Sequence, residues 1–535
     1  MRMVVKGREV PWSTLSALVS ALATEHGDRQ VLEIDGKALS YRDIDESAER
    51  IAAAMTALGL TKGDIAGGLL ANCAEAVLCF FAAAKIGVVW APLNVGLVGQ
   101  DLAYAIKDSR PKLLVADPQS GPKLKETLVS SLVTFPIFIT GSEIIEGFRP
   151  FSELESAAGR APHVQLGPGD PAVVIYTGGT TGMPKGVVLP HFACICGGLR
   201  TIETFSMRSD DNYFSISQLF HVGGLLGAVL GPMIAGARGT IVRRFSTSNY
   251  WRGVRDSKAT LIDLIGTTMA LLCREPPSPE DRNHCVRASL GITTGVPDHV
   301  PRQFTERFGI KLVNLYSLSE GGGTMIVRNT LDSPKPEAHG KGWGWVEIAI
   351  LDETGQVLPP NTIGEISLRP NYPFIFMLGY LNNPGKTIET FSNCWLHTGD
   401  LGCLDEDGYL YFRGRHAHWL RRRGENISAN EVESILSQYP GIAEVVIIGV
   451  PSEMGDEEVK AFIIPTPGTE IDFVALCRWS AEQMAAFKVP RFIEIVDDFP
   501  RSLTKREIER HKLKTLPNTN AWDREARART KANPA

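Results

Sequence analysis

The stretch Ala172-Val173-Val174-Ile175-Tyr176-Thr177-Gly178-Gly179-Thr180-Thr181-Gly182-Met183-Pro184-Lys185-Gly186-Val187-Val188-Leu189 joins two apolar runs through a loop of glycines, threonines and one lysine. Residues 172–176 read as a buried strand and 187–189 as a second one. Between them the glycines leave backbone N–H groups open to an anion, Thr177, Thr180 and Thr181 add hydroxyl donors, and Lys185 adds a fixed positive charge. Phosphate is the natural ligand for such a loop. The spacing is not G-x-x-x-x-G-K-[ST], and a strand rather than a helix follows the lysine, which argues against a P-loop NTPase. Turn chemistry alone would equally suit a flexible hairpin loop.

On either side of this stretch, β-type and helical runs alternate. Residues 65–70, 75–85 and 88–93 follow a βαβ order, and so do 213–216, 223–235 and 239–243. The alternation predicts an α/β chain whose large N-terminal domain holds two βαβ-type sheets of similar construction packed with helices. Beyond Thr362 short strands and tight turns take over, such as 364–369 and the Asp407-Gly408 turn between 401–404 and 409–413, and these predict a small antiparallel β region. After Arg415 come the basic run Arg421-Arg422-Arg423, a capping box at Ser428-Ala429-Asn430-Glu431 opening a helix through Leu436, β runs at 445–450 and 459–464, and a helix near 473–486. The predicted division is an N-terminal domain over 1–415, a small α+β C-terminal domain over 416–520, and a polar, charged, flexible tail over 521–535.

Composition narrows the function. A chain of 535 residues that is 44% hydrophobic and 21% charged has the balance of a globular enzyme of several structural units. Its net charge of −5 offers no electrostatic reason for a nucleic-acid or anionic-membrane partner. The nine cysteines are odd in number and scattered, which fits a reducing cytoplasm, and Cys194-x-Cys196 has no further ligands at metal spacing. Two segments imitate membrane signals. Residues 1–23 resemble a signal peptide, yet Trp12, Leu15, Leu18, Val19 and Leu22 recur on one helical face, so an amphipathic surface helix is expected. Residues 212–237 carry no charge, but Ser215, Ser217, Gln218, His221, five glycines and Pro232 mark a buried helix and turn rather than a membrane span.

Further motifs occur in order. They are Leu219-Phe220-His221, Thr294-Gly295-Val296-Pro297, Asn314-Leu315-Tyr316-Ser317-Leu318-Ser319-Glu320, Gly364-Glu365-Ile366, Gly379-Tyr380, Trp395-Leu396-His397-Thr398-Gly399-Asp400-Leu401-Gly402, Gly414-Arg415 and Gly424-Glu425-Asn426-Ile427. Together with 176–186 they resemble the signatures of the adenylate-forming superfamily, which includes acyl-CoA synthetases, luciferase-like enzymes and peptide-synthetase adenylation domains. The run 421–428 and Val450-Pro451-Ser452-Glu453-Met454-Gly455 look most like the carnitine/crotonobetaine-CoA ligase-like branch. The resemblance implies a small C-terminal domain that is mobile, and a ligase using ATP, Mg²⁺ and coenzyme A. A small-molecule carboxylate attacks the α-phosphorus, pyrophosphate leaves, and the coenzyme A thiol displaces AMP from the acyl-AMP.

Residue by residue, the resemblance places Thr177, Gly178, Gly179, Thr180, Thr181, Gly182 and Lys185 around the β- and γ-phosphates, and Glu320 with Ser319 and Ser317 at the Mg²⁺ and phosphate positions. Tyr316 would stack on adenine opposite Gly295, Val296 and Pro297, with Asn314 alongside. Asp400 and Arg415 would hold the ribose, His221 would gate the carboxylate pocket, and Gly424 would border the thiol tunnel, with Arg421–Arg423 as candidate contacts for coenzyme A phosphates. Val222, Gly223, Gly224, Leu225, Leu226 and Gly321 to Gly323 suggest a roomy apolar acyl pocket with no evident charge partner, which fits an aromatic, alicyclic or medium-chain acid. A polar, carnitine-like acid is open through the branch resemblance. The chain departs from the family pattern at Gly178, Ser317 and Ser319, at the hinge, where Ala417 and His418 stand, and at the late lysine. There the run Pro500-Arg501-Ser502-Leu503-Thr504-Lys505-Arg506-Glu507-Ile508 offers Lys505, or failing that Arg506, as the catalytic cation. Two other readings are transfer to a carrier-protein thiol or amine, and a nucleotide-binding relative without turnover. A homodimer stays open, because oligomeric state has no signature in the sequence.

Overall fold

The computed structural model of the chain describes residues 3–129, 135–177, 184–292, 299–333, 335, 337–415, 419–422, 425–451, 457–484, 486–501 and 508–526. Two eight-stranded sheets form its large part. In the first, Val89–Pro92, Ile65–Leu69, Leu113–Ala116, Ile137–Ile139 and Arg149–Pro150 run parallel to one another and to Pro171–Thr177. In the second, the parallel strands are Lys311–Leu318, Ala288–Ile292, Leu261–Ile265, Asn212–Ser215, Arg238–Ile241 and Gln30–Ile34. Each sheet also ends in antiparallel pairs. Lys185–Pro190 and then Gly379–Tyr380 are added to the first sheet, and Gly323–Arg328 to the second. The expected two similar sheets are therefore present.

Helix Ala74–Ile86 is apolar except at Glu75 and Lys85, and every residue but Glu75 is buried, as a helix with so wide an apolar surface requires. It belongs to one continuous core that takes in Val173 and Ile175 of the first sheet and Leu261, Leu290 and Val313 of the second. Its one buried cation, Lys85, is paired with Asp45 at 2.8 Å and Glu49 at 3.1 Å. The amphipathic helix expected near the N-terminus is Leu15–His26, with Leu15, Leu18, Val19 and Leu22 inward. The uncharged stretch 212–237 forms a strand, a π-helix over Gly223–Leu230 and a short helix over Gly231–Ala235, largely buried. Among the described residues no helix is long and apolar enough to cross a membrane.

The antiparallel region comprises Val346–Leu351, Gly364–Pro370, Phe391–Ser392, Trp395–Leu404 and Leu410–Arg415. Asp407-Gly408 makes the expected turn, with Gly408 at φ +79°. Beyond it lie the hairpin Trp419–Arg422 and Glu425–Ser428, helix Ala429–Leu436 and a sheet of Ile442–Pro451, Glu457–Pro465, Phe492–Ile495 and Trp522–Asp523, with helix Phe473–Gln483 packed on it. Two details differ from the sequence reading. Only half of the capping box forms: Ser428 Oγ accepts the Glu431 N–H, while the Glu431 carboxylate pairs with Lys488 at 2.5 Å. The tail expected from Ala521 does not begin there, because Trp522–Asp523 extends the sheet, the Trp522 ring packs on Phe473, and Asp523 takes two hydrogen bonds from Arg491 at 3.2 Å.

His191 links the N-terminal helix to the helix that follows the glycine-rich hairpin. Its Nδ1 accepts the Leu15 N–H at 3.3 Å, so the neutral ring carries its proton on Nε2. Burial lowers its pKa to about 4. The ring resists protonation when folded but titrates normally, near 6.5, when unfolded. Stability is thus full above pH 6.5 and falls as the pH drops from 6.5 through 4, by up to about 3 kcal/mol from this group. Urea unfolding between pH 7.5 and 4.5 is expected to show that decline, and His191→Asn, which keeps an acceptor for Leu15, to flatten it.

Candidate active site

The antiparallel ends of the two sheets carry the site residues. In the first, Thr177 and Lys185 face each other across the hairpin, and Thr177 Oγ1 donates to the Lys185 carbonyl at 3.5 Å. Residues 178–183 lie outside the described residues, and with them the expected Gly178, Gly179, Thr180, Thr181 and Gly182. In the second sheet, Tyr316-Ser317-Leu318-Ser319-Glu320 makes the turn out of the last parallel strand. Ser317 Oγ donates to the Gly323 carbonyl at 2.7 Å, and buried Asn314 accepts the Leu315 N–H through Oδ1. Gly322 closes this turn at φ +81°, where a Cβ would stand 1.6 Å from the Ile375 carbonyl oxygen, so only glycine fits.

A crossing segment, 375–381, fastens the two sheet ends together. Its backbone N–H groups donate to the Glu320 carbonyl from Met377, to Val188 from Leu378 and to Gly186 from Leu381. Its side chain Tyr380 donates from Oη to Glu320 Oε1 at 2.8 Å, and the Lys185 ammonium sits 5.3 Å from the centre of the Tyr380 ring. Burial and the Glu320 carboxylate both push the Tyr380 pKa up, so the phenol stays protonated and remains a donor. A cation, an aromatic face and a carboxylate are thereby set in a row.

Asp400 comes to the same turn from the antiparallel region. Tyr316, 5% exposed, donates from Oη to Asp400 Oδ2 at 2.7 Å, and its ring leans on Phe412. The Asp400 loop is held from behind: Glu365 accepts from His397 Nδ1 at 2.7 Å and from the Gly399 N–H at 3.0 Å, while the Thr398 hydroxyl donates to the Ile366 carbonyl. Arg415 is the backbone partner of Asp400 across the strand pair, which places two expected ribose residues side by side.

His221 is half-buried on the loop leading into the π-helix, with its ring 4.7 Å from that of Phe220. Two residues that sequence reasoning missed hold this loop. Asn72, fully buried, donates to the Ser217 and Val242 carbonyls and accepts the Leu219 N–H at 2.8 Å. Asp263 accepts from Ser215 Oγ, Ser217 Oγ and the Ile216 N–H, and burial raises its pKa. Asp263 did carry a signal, as the lone acid in the apolar run Leu261-Ile262-Asp263-Leu264-Ile265. Asn72 did not, apart from its place just beyond the C-terminal end of a parallel strand.

Arg422 departs from expectation. It is 1% exposed, donates to the Phe487 and Val489 carbonyls, and pairs with Glu458 at 2.6 Å, so it is structural and cannot reach a coenzyme phosphate. Gly295, Val296, Pro297, Ala417, His418, Arg423, Gly424, Lys505 and Arg506 lie outside the described residues, as do the side chains of Arg415 and Arg421.

A lysine hairpin, a carboxylate turn and the Asp400 loop brought together on two α/β sheets are the arrangement expected of an adenylate-forming enzyme. Residues 19–381 match the AMP-binding enzyme family and residues 431–506 its C-terminal domain. The chain belongs to that family, and it is an ATP-dependent carboxylic acid–CoA ligase. It is 31% identical over 504 residues to the crotonobetaine/carnitine–CoA ligase of Salmonella enteritidis PT4, covering 92% of this chain and 97% of that one. Among solved structures it resembles ATP-bound MatB from Rhodopseudomonas palustris, with a TM-score of 0.83 and 25% identity over 94% of this chain and 98% of that one. An anthranilate CoA ligase, AuaEII, in complex with anthranoyl-AMP has a TM-score of 0.84 at 24% identity, covering 97% and 98%, a likeness of fold.

Removing the Tyr380 hydroxyl tests the row of contacts it anchors. Tyr380→Phe keeps the ring under Lys185 but frees Glu320, and is expected to slow pyrophosphate release about tenfold while raising the Mg²⁺ concentration for half-maximal rate. Titrating Mg²⁺ in steady-state assays of both proteins checks this.

Proposed function

We propose that the chain activates a small carboxylic acid with Mg-ATP at this site. A carboxylate oxygen bonds to the α-phosphorus as the bond from that phosphorus to the β-phosphate bridge breaks, and pyrophosphate leaves. The coenzyme A sulfur then bonds to the acyl carbon, the acyl–oxygen bond to AMP breaks, and the thiol proton is released. The observation that carries this reading is the convergence of Tyr316–Asp400 and Tyr380–Glu320 on one turn, with Lys185 beside it. Negative charge accumulates on the phosphates throughout, so positioning and electrostatic stabilisation do most of the catalysis.

In this reading Lys185, Thr177, Thr180 and Thr181, with the loop glycines, face the β- and γ-phosphates. Ser317 and Ser319 flank them. Asp400 accepts from the ribose hydroxyls, with Arg415 beside it and Tyr316 fixing its angle. Asn314, Tyr316 and 295–297 surround adenine, and His221 borders the reacting carboxylate. Glu320 suits Mg²⁺, because one carboxylate with oxygen-rich phosphates is how that ion is usually held, and no group of three or more His, Cys, Asp or Glu among the described residues offers a separate metal site. When bound, the ion offsets phosphate charge. Residues 416–520 form the small domain that turns to admit the thiol past Gly424, and Lys505 supplies the cation for the first step. The walls at Val222, Leu225 and Leu226 suit an acid with an apolar skeleton, and the cytoplasm suits the free thiols.

Pyrophosphate release with Mg-ATP across a panel of carboxylic acids, with and without coenzyme A, is the direct test. Acid-dependent release with thioester formed only when coenzyme A is present is the expected result. Release without coenzyme A-dependent thioester would favour transfer to a carrier thiol or amine. Lys505→Ala is expected to lower acyl-AMP formation by about two orders of magnitude or more, while preformed acyl-AMP is still converted to thioester. An unaltered first step in that variant would remove Lys505 from the site.

A further inference from the structure

Arg200 is the one charge in the buried middle of helix His191–Phe205, and its side chain is 0% exposed. Its Nη2 donates to the Gly322 carbonyl at 2.6 Å and its guanidinium carbon lies 5.8 Å from the centre of the Trp345 ring, while Nε and Nη1 have no hydrogen-bond partner among the described residues. The carboxylate that acts on it, Glu203, is already taken by Arg328, by Trp345 Nε1 at 2.9 Å and by Lys6 at 3.2 Å. Three cations thus share one carboxylate. A guanidinium kept out of water without its own counter-charge is strongly unfavourable, and such a group is retained where something else completes it. The lone arginine in His191-Phe192-Ala193-Cys194-Ile195-Cys196-Gly197-Gly198-Leu199-Arg200 is legible in the sequence, but its burial is not.

Its position says what that partner is. Gly322 and Gly323 come two and three residues after Glu320, and a Cβ on Gly323 would press on Leu226 and touch Val222 of the expected acyl pocket. Gly197, one helical turn before Arg200, packs against the same Leu226. The guanidinium therefore sits behind the acyl wall, on the helix that backs it. We propose that Arg200 determines specificity: the acid carries a second oxygen acceptor, a carboxylate or a ketone, at the end remote from the carboxyl group that is activated, and Arg200 binds it. This rests on the ligase reading and deepens it, replacing a wholly apolar acid with one that is apolar in the middle and oxygenated at its far end. Burial lowers the Arg200 pKa to about 10, so it is still cationic at neutral pH.

The test uses matched pairs of acids on the full-length protein: heptanoate against pimelate, and cyclohexanecarboxylate against 4-oxocyclohexanecarboxylate. The wild type is expected to show kcat/KM at least about tenfold higher for the oxygenated member of one pair, because a site built to hydrogen-bond rejects a partner lacking the acceptor. Arg200→Met is expected to collapse that ratio. A readout without turnover accompanies it: with AMP present, the preferred oxygenated acid raises the melting temperature of the wild type but not of Arg200→Met or Arg200→Gln. Without acid, both variants melt no lower than wild type, since an unpaired buried charge has been removed. No oxygen-dependent preference in either readout, or variants that melt well below wild type with an unchanged ratio, would overturn the proposal and make Arg200 structural. An oxygen-dependent melting shift with no thioester from any acid would instead fail the ligase reading and leave Arg200 as a binding residue.

Discussion

The site depends on a constraint imposed by chain crossing. Segment 375–381 is hydrogen-bonded on one side to the Glu320 turn of the second sheet and on the other to the Lys185–Pro190 strand of the first. Each sheet alone would present half of the candidate site: a lysine hairpin on one, a carboxylate turn on the other. The crossing segment sets their spacing, and Gly322 lets the backbones close to contact. Tyr380 is where this scaffold becomes chemistry, because its hydroxyl fixes the carboxylate and its ring lies beside the ammonium.

Behind that line Asn72 and Asp263 are buried and hydrogen-bonded. Asn72 uses its amide on three backbone groups around the His221 loop, and Asp263 gathers two serine hydroxyls and an amide at the same place. Satisfied polar groups of this kind specify one arrangement of a loop that apolar packing alone would leave loose. The Glu365, His397 and Thr398 contacts do the same for Asp400.

Much of the fold was legible because period and punctuation are local properties. The βαβ alternation, the Asp407-Gly408 turn and the helix at Leu15–His26 all follow from residues near in sequence. What was not legible depends on distant partners. Arg422 reads as one of three exposed basic residues, yet the hairpin register turns it inward onto Glu458. Trp522 and Asp523 sit in a polar stretch, and only pairing with Phe492 and Ile493 makes them a strand. Tyr380 is recognisable beside Gly379 as a motif, but its contact with Glu320, 60 residues away, is a product of topology.

The two-residue strand Gly379–Tyr380 also has a bearing on colloidal behaviour. It covers Val187 and Val188 on the outer side of the Lys185–Pro190 strand, which would otherwise end the sheet as an open, largely apolar edge. Uncovered edges of that kind are templates for strand addition by another molecule. The same two residues thus belong to the candidate site and close the sheet edge. A variant that unzips them would lose solubility together with activity, even where the rest of the fold keeps its thermodynamic stability.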